Sequence, residues 1–489
     1  MRTRFLPMWV MVAAFALAAA LPSPAAETPD LHVGIVSDIH VKGDRNRNLV
    51  FFRKVLESFR DERVDAVVIP GDLADDGQDE QLQTVADAWR DVFPGNALPD
   101  GTHVEPFFIY GNHDSSSLSY GVAQRNVKTA AKRWGSEEEG RKHLAAYDEA
   151  GVWKRVFGED WAPVFHKTIK GYVFVGCHWD HEKETAPWLA AHAEELGLHG
   201  EKPFFYVQHP HPGGTVQTAH GEFAWGNDGG IATRALAGFP NAIALSGHSH
   251  YPLTDMQSIW QGDFTSVNCS SSAYLGLRNG RDNGTWDNHG RHGKKIGPVP
   301  VTPEFWYGRH YMIMDVFADR VAFRRLDLIR GEPLGPDWVC PLPACVDDAS
   351  RPYAFDASEA RTVAPQFPEG AKVEVSMRRG KDRAGVEGDI VAVTFTKARS
   401  CGPDGRLFEY EITAENVAYG ITRICSQKRI ASKAIAHAAE AESDGTFECL
   451  FRLDELPLET PVRFVVRPLN CFGLSGAPVA SKPVKLPLE

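Results

Sequence analysis

Between residue 31 and about residue 255, short apolar runs alternate with amphipathic stretches, the pattern of α/β architecture. Leu31 to Val36 reads as a strand, Val50, Phe51, Val55, Leu56 and Phe59 recur at helical spacing, and Val64 to Ile69 reads as a strand again. The chain therefore opens as a βαβ unit. Gln81 to Phe93 predicts a second helix, and Pro106 to Tyr110, Tyr172 to Cys177, Pro203 to Val207 and Ala242 to Leu245 predict further strands. The expected fold class is α/β, two packed sheets flanked by helices. After the run Tyr311 to Leu328 the composition turns to Pro, Gly and Asp, which predicts a linker over 336–368. Beyond it Lys372 to Ser376, Ile390 to Phe395, Phe408 to Thr413 and Val462 to Val466 predict a small all-β sandwich over 369–489.

Ahead of this pattern, Arg2 and Arg4 precede an uninterrupted apolar run from Met8 to Leu21, closed by Pro22, Ser23, Pro24, Ala25 and Ala26. The run is shorter than the roughly 20 residues that span hydrocarbon. It predicts a signal peptide over 1–26, a secreted or periplasmic protein, a first domain over 27–335 and no transmembrane anchor. The formal charge of −12 argues against a general basic surface, so no specific nucleic acid partner is expected. The 8 cysteines include no CxxC pair and suit disulfides better than a metal framework in an exported chain. Cys401, Cys425, Cys449 and Cys471 are able to supply two bridges, in a pairing the sequence leaves open. Cys177 reads as a buried core residue.

Five short motifs stand where strand-like runs end: Asp38-Ile39-His40, Gly71-Asp72, Gly111-Asn112-His113-Asp114, His209, and Gly247-His248-Ser249-His250. Loops leaving the carboxyl ends of strands in an α/β sheet converge on one rim, so residues far apart in sequence can share a site. Asp38, His40, Asp72, Asn112, His209, His248 and His250 are oxygen and nitrogen donors without a thiolate, which suits Mn, Fe, Zn or Co. They are too many for one tetrahedral zinc. Two cations sharing a carboxylate, roughly 3.5–4 Å apart, activate water and clamp phosphoryl oxygens. His209 directly follows the run Phe204 to Val207 and is the better ligand, with His211 left as a supporting or substrate-facing candidate. Asp75 and Asp76 read as solvated loop acids.

This ordered set resembles the calcineurin-like metallophosphoesterase superfamily, whose pattern is DxH, GD, GNH followed by an acid, a lone His, and GHxH. The resemblance implies two divalent or mixed-valence metal ions. Asp38, His40 and His250 would bind one, Asn112, His209 and His248 the other, and Asp72 would bridge, with a metal-bridging hydroxide as nucleophile. It also implies that His113 stabilises the transferring phosphoryl group and protonates the leaving oxygen, with Asp114 orienting its ring. Asp76 stands where the Ser/Thr protein phosphatases carry a phosphate-binding Arg, and Asp75 where purple acid phosphatases place a tyrosinate. The DxH and GNHD forms look more like the cyclic-nucleotide and glycerophosphodiester phosphodiesterase branch. The ending Val465, Arg467, Pro468, Asn470, Phe472, Gly473, Ser475 and Gly476 resembles the last strands of a fibronectin type III module.

The expectation is an exported hydrolase of small phosphate esters, a phosphodiesterase ahead of a phosphomonoesterase of phosphatase or nucleotidase type. A non-catalytic surface-binding or adhesion protein with a structural metal site is the alternative from another class, and a secreted nuclease is a third. Candidate substrate contacts are Trp179, Asp180 and His181, then Trp225, Asn227 and Asp228, and the basic stretch with Arg278, Arg281, Arg291, His292, Lys294 and Lys295. Each also has an ordinary surface-loop reading.

Overall fold

The computed structural model describes residues 27–487 apart from 44–45, 116–126, 129–130, 133, 219–225, 277–306, 383–384, 403–404 and 439–443. The signal-peptide expectation, Trp225 and the basic stretch Arg278 to Lys295 lie outside the described residues.

Strand β1 (Leu31–Ile35) is followed by helix α1 (Arg47–Glu62), β2 (Ala66–Ile69), helix α2 (Asp79–Val92) and β3 (Glu105–Phe108). Leu49, Phe52, Val55, Leu56 and Phe59 form the buried face of α1 at three- and four-residue spacing. The Asn46 side chain accepts from the amide of Asn48 at its start, and Arg63 ends it in the left-handed conformation. The strands β1, β2 and β3 pair in parallel. Two antiparallel strands, β10 (His310–Val316) and β11 (Arg320–Asp327), extend this sheet beyond β1.

A second sheet runs in the order β4 (Val164–Ile169), β5 (Tyr172–Cys177), β6 (Phe204–Val207), β7 (Ala242–Ser246), β9 (Thr265–Asn268) and β8 (Ile259–Gln261). The sheets face each other across one apolar layer in which Val33, Ile35, Val68 and Phe107 meet Phe174, Phe205, Val207, Ile243 and Leu245. Alternate residues such as Val67 and Ile69 point outward onto the helices. This is the two-sheet α/β sandwich flanked by helices that the sequence pattern predicts.

Residues 336–368 do more than link. Trp338–Pro341 forms strand β13 against β11, with Trp338 and Cys340 buried in the main core. The Pro and Gly content hid a strand only four residues long. No disulfide joins the eight cysteines in this structure, so the two bridges expected among Cys401, Cys425, Cys449 and Cys471 are not formed, and Cys177 is buried.

The C-terminal region is all β. One sheet has the order β14 (Val373–Lys381), β15 (Glu387–Thr396), β18 (Thr446–Arg452). The other has the order β17 (Arg423–Ala431), β16 (Leu407–Asn416), β19 (Pro461–Asn470), β20 (Val479–Ala480). Their facing sides share a core of Val391, Val393, Phe395, Tyr410, Ile412, Phe451 and Phe464.

This sandwich docks on the loops that follow β7 and β9. Phe408, Ala431, Ile435, Ala436 and Phe472 join the main α/β core beside Leu253, Met256 and Leu275. Thr254 Oγ1 donates to the carbonyl of Ile435 at 2.5 Å, and Gln257 Nε2 to that of Cys471 at 3.0 Å. His310 takes the amide proton of Leu253 at Nδ1 (3.1 Å) and faces the Ala436 carbonyl with Nε2 (2.9 Å). That double contact needs the neutral ring. Burial, against the pull of the Asp327 carboxylate, pushes His310 down to about 4. Between that value and the unfolded value near 6.5 the unfolded chain binds the extra proton, so stability present above about pH 6.5 is lost as pH falls, by about 3 kcal/mol in all. Urea unfolding at pH 7 and pH 5 should therefore show a smaller acid loss in His310→Gln than in the wild type. An equal loss in both would remove His310 as a cause.

Candidate metal centre

The parallel strands of both sheets deliver their loops to one rim. Asp38 and His40 follow β1, Asp72 follows β2, Asn112 to Asp114 follow β3, His209 follows β6, and His248 and His250 follow β7. Asp38, His40, Asp72, His248 and His250 all adopt positive φ, between 46° and 68°. For non-glycine residues this conformation costs on the order of 1 kcal/mol each, and its concentration here marks a place where aim outranks local comfort. The neighbouring glycines allow close approach of backbone. A Cβ on Gly111 would overlap the amide and carboxylate of Asp72, and one on Gly247 would overlap Ser37 Oγ and the Asp38 carboxylate. Gly111→Ala is expected to destabilise the fold by roughly 1–3 kcal/mol through overpacking and to abolish metal retention. Denaturant unfolding together with metal analysis checks both.

All seven predicted donors converge. Asp38, His40, Asp72 and His250 form one cluster, and Asp72, His209 and His248 a second, with Asp72 common to both. The Asp72 carboxylate faces both ways: Oδ2 lies 3.5 Å from His40 Nε2 and Oδ1 3.3 Å from His209 Nε2. In the first set His250 Nε2 is 2.9 Å from Asp38 Oδ1 and 3.1 Å from His40 Nε2. In the second His209 Nε2 is 3.0 Å from Asn112 Oδ1 and 3.1 Å from His248 Nδ1.

The remaining hydrogen bonds decide what these atoms offer. His209 Nδ1 meets the carbonyl of Pro70 at 2.7 Å, and His250 Nδ1 meets that of Tyr274 at 3.0 Å. A ring nitrogen opposite a carbonyl carries a proton, so in the neutral ring each Nε2 turns a lone pair toward the centre, the place that a proton fills on His209 when no cation is there. Lone pairs facing lone pairs on Asn112, Asp38 and Asp72 make a set of acceptors that a cation satisfies. Electrostatics agree. Burial raises Asp38, and the charge and hydrogen bond of His250 outweigh it, holding the carboxyl at about 2. Burial likewise raises Asp72, yet His209 and His113 hold it well below the usual range. Burial lowers His209, and the Asp72 carboxylate more than reverses that, to about 9. The donor set calls for positive charge, and oxygen and nitrogen atoms without sulfur fit borderline or hard divalent ions.

His113 stands at the edge of the cluster, its side chain 18% exposed. Its ring meets that of His40 edge to face at 4.5 Å, and its amide donates to Asp72 Oδ1 at 2.8 Å. The resemblance gives Asp114 the task of orienting this ring, but the geometry differs. Nδ1 of His113 lies 2.8 Å from the carbonyl of Asp75. The Asp114 carboxylate instead accepts the amides of Leu73, Ala74 and Gly111, tying the β2 and β3 loops together. Burial and the Asp72 charge push Asp114 up to about 7 despite those amides.

Asp75 is no solvated loop acid. It lies 3.3 Å from His40 Nδ1 and 3.0 Å from Lys42 Nζ. Burial raises its pKa, and His40 and Lys42 pull it well below the usual range. It therefore orients His40 with its carboxylate and His113 with its carbonyl. The D-x-x-D spacing from Asp72 was the available signal. His211 is buried, with Nδ1 2.7 Å from Ser246 Oγ and Nε2 2.6 Å from Ser249 Oγ, so it pins the loop bearing His248 and His250 and does not face substrate.

Of the suggested substrate contacts, Trp179 reaches the centre, its ring 5.3 Å from that of His248. Tyr274, which sequence reasoning missed, packs 4.3 Å from the His250 ring on the other metal set. Asp228 accepts the amides of Gly213, Gly230 and Ala232 and holds a loop in shape. Asn227 Oδ1 accepts from Gly229, while His181 pairs with Glu184 at 2.8 Å. Asp180 is exposed.

The family model of calcineurin-like phosphoesterases matches residues 31–252. No curated protein matches the chain. Among solved structures, a dimetal phosphatase from Danio rerio is 11% identical over 64% of this chain and 99% of its own, with a TM-score of 0.34. A Streptococcus pneumoniae protein described as a predicted phosphoesterase is also 11% identical, over 64% of this chain and 97% of its own, with a TM-score of 0.26. At these TM-scores neither likeness adds to the family match. Strand ends, donor set and family match fall on the same residues: 31–252 carry a calcineurin-like phosphoesterase domain, and the chain is a metal-dependent phosphoester hydrolase.

Proposed function

We propose that this chain is an exported phosphodiesterase acting on small phosphate esters through a pair of divalent or mixed-valence cations. The observation that carries the reading is the Asp72 carboxylate turned toward two donor sets at once. In it Asp38, His40 and His250 would hold one ion, Asn112, His209 and His248 the other, and Asp72 would serve both. When bound, such a pair supplies an activated water and neutralises charge on the phosphoryl oxygens.

The chain's own groups do the rest. With the Nδ1 proton of His113 held by the Asp75 carbonyl, the proton that His113 offers a leaving oxygen sits on Nε2 of the imidazolium. Asp75 keeps the His40 ring turned so that Nε2 faces Asp72. Trp179 packs on His248 and Tyr274 on His250, at the two ends of the cluster. Asp76 stands where the Ser/Thr protein phosphatases carry a phosphate-binding Arg, and its carboxylate meets Gln81 Nε2 at 3.4 Å, so this position supplies no cation for a monoester dianion, which supports the diesterase preference.

Export rests on the basic and apolar N-terminal pattern, Arg2 and Arg4 before Met8 to Leu21. Among the described residues no helix is long and apolar enough to cross a membrane. A fibronectin type III-like reading of residues 369–489 is supported by the sheet orders β14-β15-β18 and β17-β16-β19-β20.

A panel of bis-p-nitrophenyl phosphate, p-nitrophenyl phosphate and cyclic nucleotides, with and without chelator, tests the proposal. Chelator-sensitive turnover with kcat/KM higher on the diesters is expected. Higher kcat/KM on p-nitrophenyl phosphate makes it a phosphomonoesterase, and no metal-dependent turnover on any ester ends the enzymatic reading.

A further inference from the structure

The start of α1 and the approach to β10 bring two arginines together over the Phe51 ring, and neither meets a carboxylate among the described residues. Arg309 is 3% exposed, and its Nε is buried without a hydrogen-bond partner. Its Nη1 donates to the carbonyl of Tyr307 at 2.7 Å, and its guanidinium carbon sits 4.0 Å from the centre of the Phe51 ring. Arg47, exposed at the first position of α1, reaches the same ring at 5.4 Å and the Tyr307 ring at 5.0 Å. Burial, and then the charge of Arg47, push Arg309 down to about 10.

A buried guanidinium facing another cation is an expensive arrangement unless an anion joins it. Elsewhere buried guanidiniums have more oxygen partners: Arg429, 2% exposed, is paired with Glu409, and Arg325, also 2% exposed, donates to the carbonyls of both Leu253 and Pro336. Stacking on Phe51 offsets part of the cost at Arg309 but leaves its Nε–H unused. The planar guanidinium fork matches the oxygens of a carboxylate or phosphate.

The backbone ties both arginines to the metal loops. Asn48, next to Arg47, donates its side-chain amide to the carbonyl of His40 at 3.0 Å. His310, next to Arg309, donates its amide to Ser271 at 3.0 Å, and Ser271 Oγ donates to the carbonyl of Asp38 at 3.0 Å.

We propose that Arg309 and Arg47 form an oxyanion subsite, for a carboxylate- or phosphate-type group, alongside the metal centre. It rests on the phosphoesterase reading only for the source of the anion, which is either a second charged group on the substrate or a free anion.

The test is thermal unfolding of the full metal-loaded chain in chloride buffer, titrated with inorganic sulfate, for wild type, Arg309→Gln and Arg47→Gln. Sulfate contact with the metals is common to all three and cancels. The proposal expects a larger sulfate-induced rise in Tm for the wild type than for either variant. Arg47→Gln, at an exposed position, keeps the test readable if Arg309→Gln fails to fold. Equal sulfate shifts in the wild type and every variant that folds would overturn the proposal and leave Arg309 a brace on Phe51. This arm requires no turnover, so it stands or falls apart from the phosphoesterase reading.

A second arm assigns the source: kcat/KM for 4-nitrophenyl 3-carboxypropyl phosphate relative to 4-nitrophenyl butyl phosphate. A wild-type preference of several-fold that collapses in Arg47→Gln places the anion on the substrate. A ratio near one, with the sulfate difference retained, makes it a free anion.

Discussion

Asp72→Asn is expected to lower phosphoester turnover by roughly 10³-fold or more and to take metal content from two equivalents per chain to one or fewer. The variant keeps the shape and one oxygen, so the fold has little reason to fail. What it loses is the second carboxylate oxygen and the charge that both donor sets share, since His40 faces Oδ2 and His209 faces Oδ1. The charge matters beyond the ligand count, because Asp72 is the carboxylate that draws His209 up to about 9. Metal analysis of purified wild type and variant, alongside turnover of bis-p-nitrophenyl phosphate, reads the outcome. Two equivalents retained with near-normal turnover would mean that Asp72 does not serve both ions.

His113→Asn should show a different signature, one that depends on the leaving group. A side chain that protonates a departing oxygen contributes about 10²–10⁴-fold where that oxygen leaves poorly. It contributes much less where the leaving group is p-nitrophenolate, which departs without help. The loss in kcat should therefore be large on an alkyl diester and at least roughly tenfold smaller on bis-p-nitrophenyl phosphate, with metal content unchanged. The structure supports this separation, since His113 is partly exposed at the edge of the cluster and its Nδ1 is held by the Asp75 carbonyl. Equal losses on both substrates would assign His113 to binding or charge stabilisation alone.

The sandwich was legible because its first helix and central strands carry distinct apolar patterns. The α1 face repeats every three or four residues, β2 is a continuous apolar run of a strand buried on both faces, and β1 is broken by the half-buried His32. The seven donors were legible for a related reason: each follows such a run, and glycine beside several of them signals a sharp turn. Strands without an apolar run left no such trace. Ile259–Gln261 and Trp338–Pro341 are three and four residues long, and the second hides among prolines.

Side-chain direction was the other blind spot. Asp75 and Asp114 look alike as loop acids, and only the folded loops show that Asp75 serves His40 and His113 while Asp114 serves three backbone amides. Tyr274 follows a run of serines and carries no pattern that would announce its place beside His250. The docking of Ile435 and Ala436 onto the loop after β7 was equally hidden, since small apolar residues do not state which surface they cover.

Anomalous diffraction from crystals grown with manganese measures the central claim most directly. The account predicts two peaks, one on each side of the Asp72 carboxylate, the first among Asp38, His40 and His250 and the second among Asn112, His209 and His248. A single peak, or none within reach of Asp72, would contradict it.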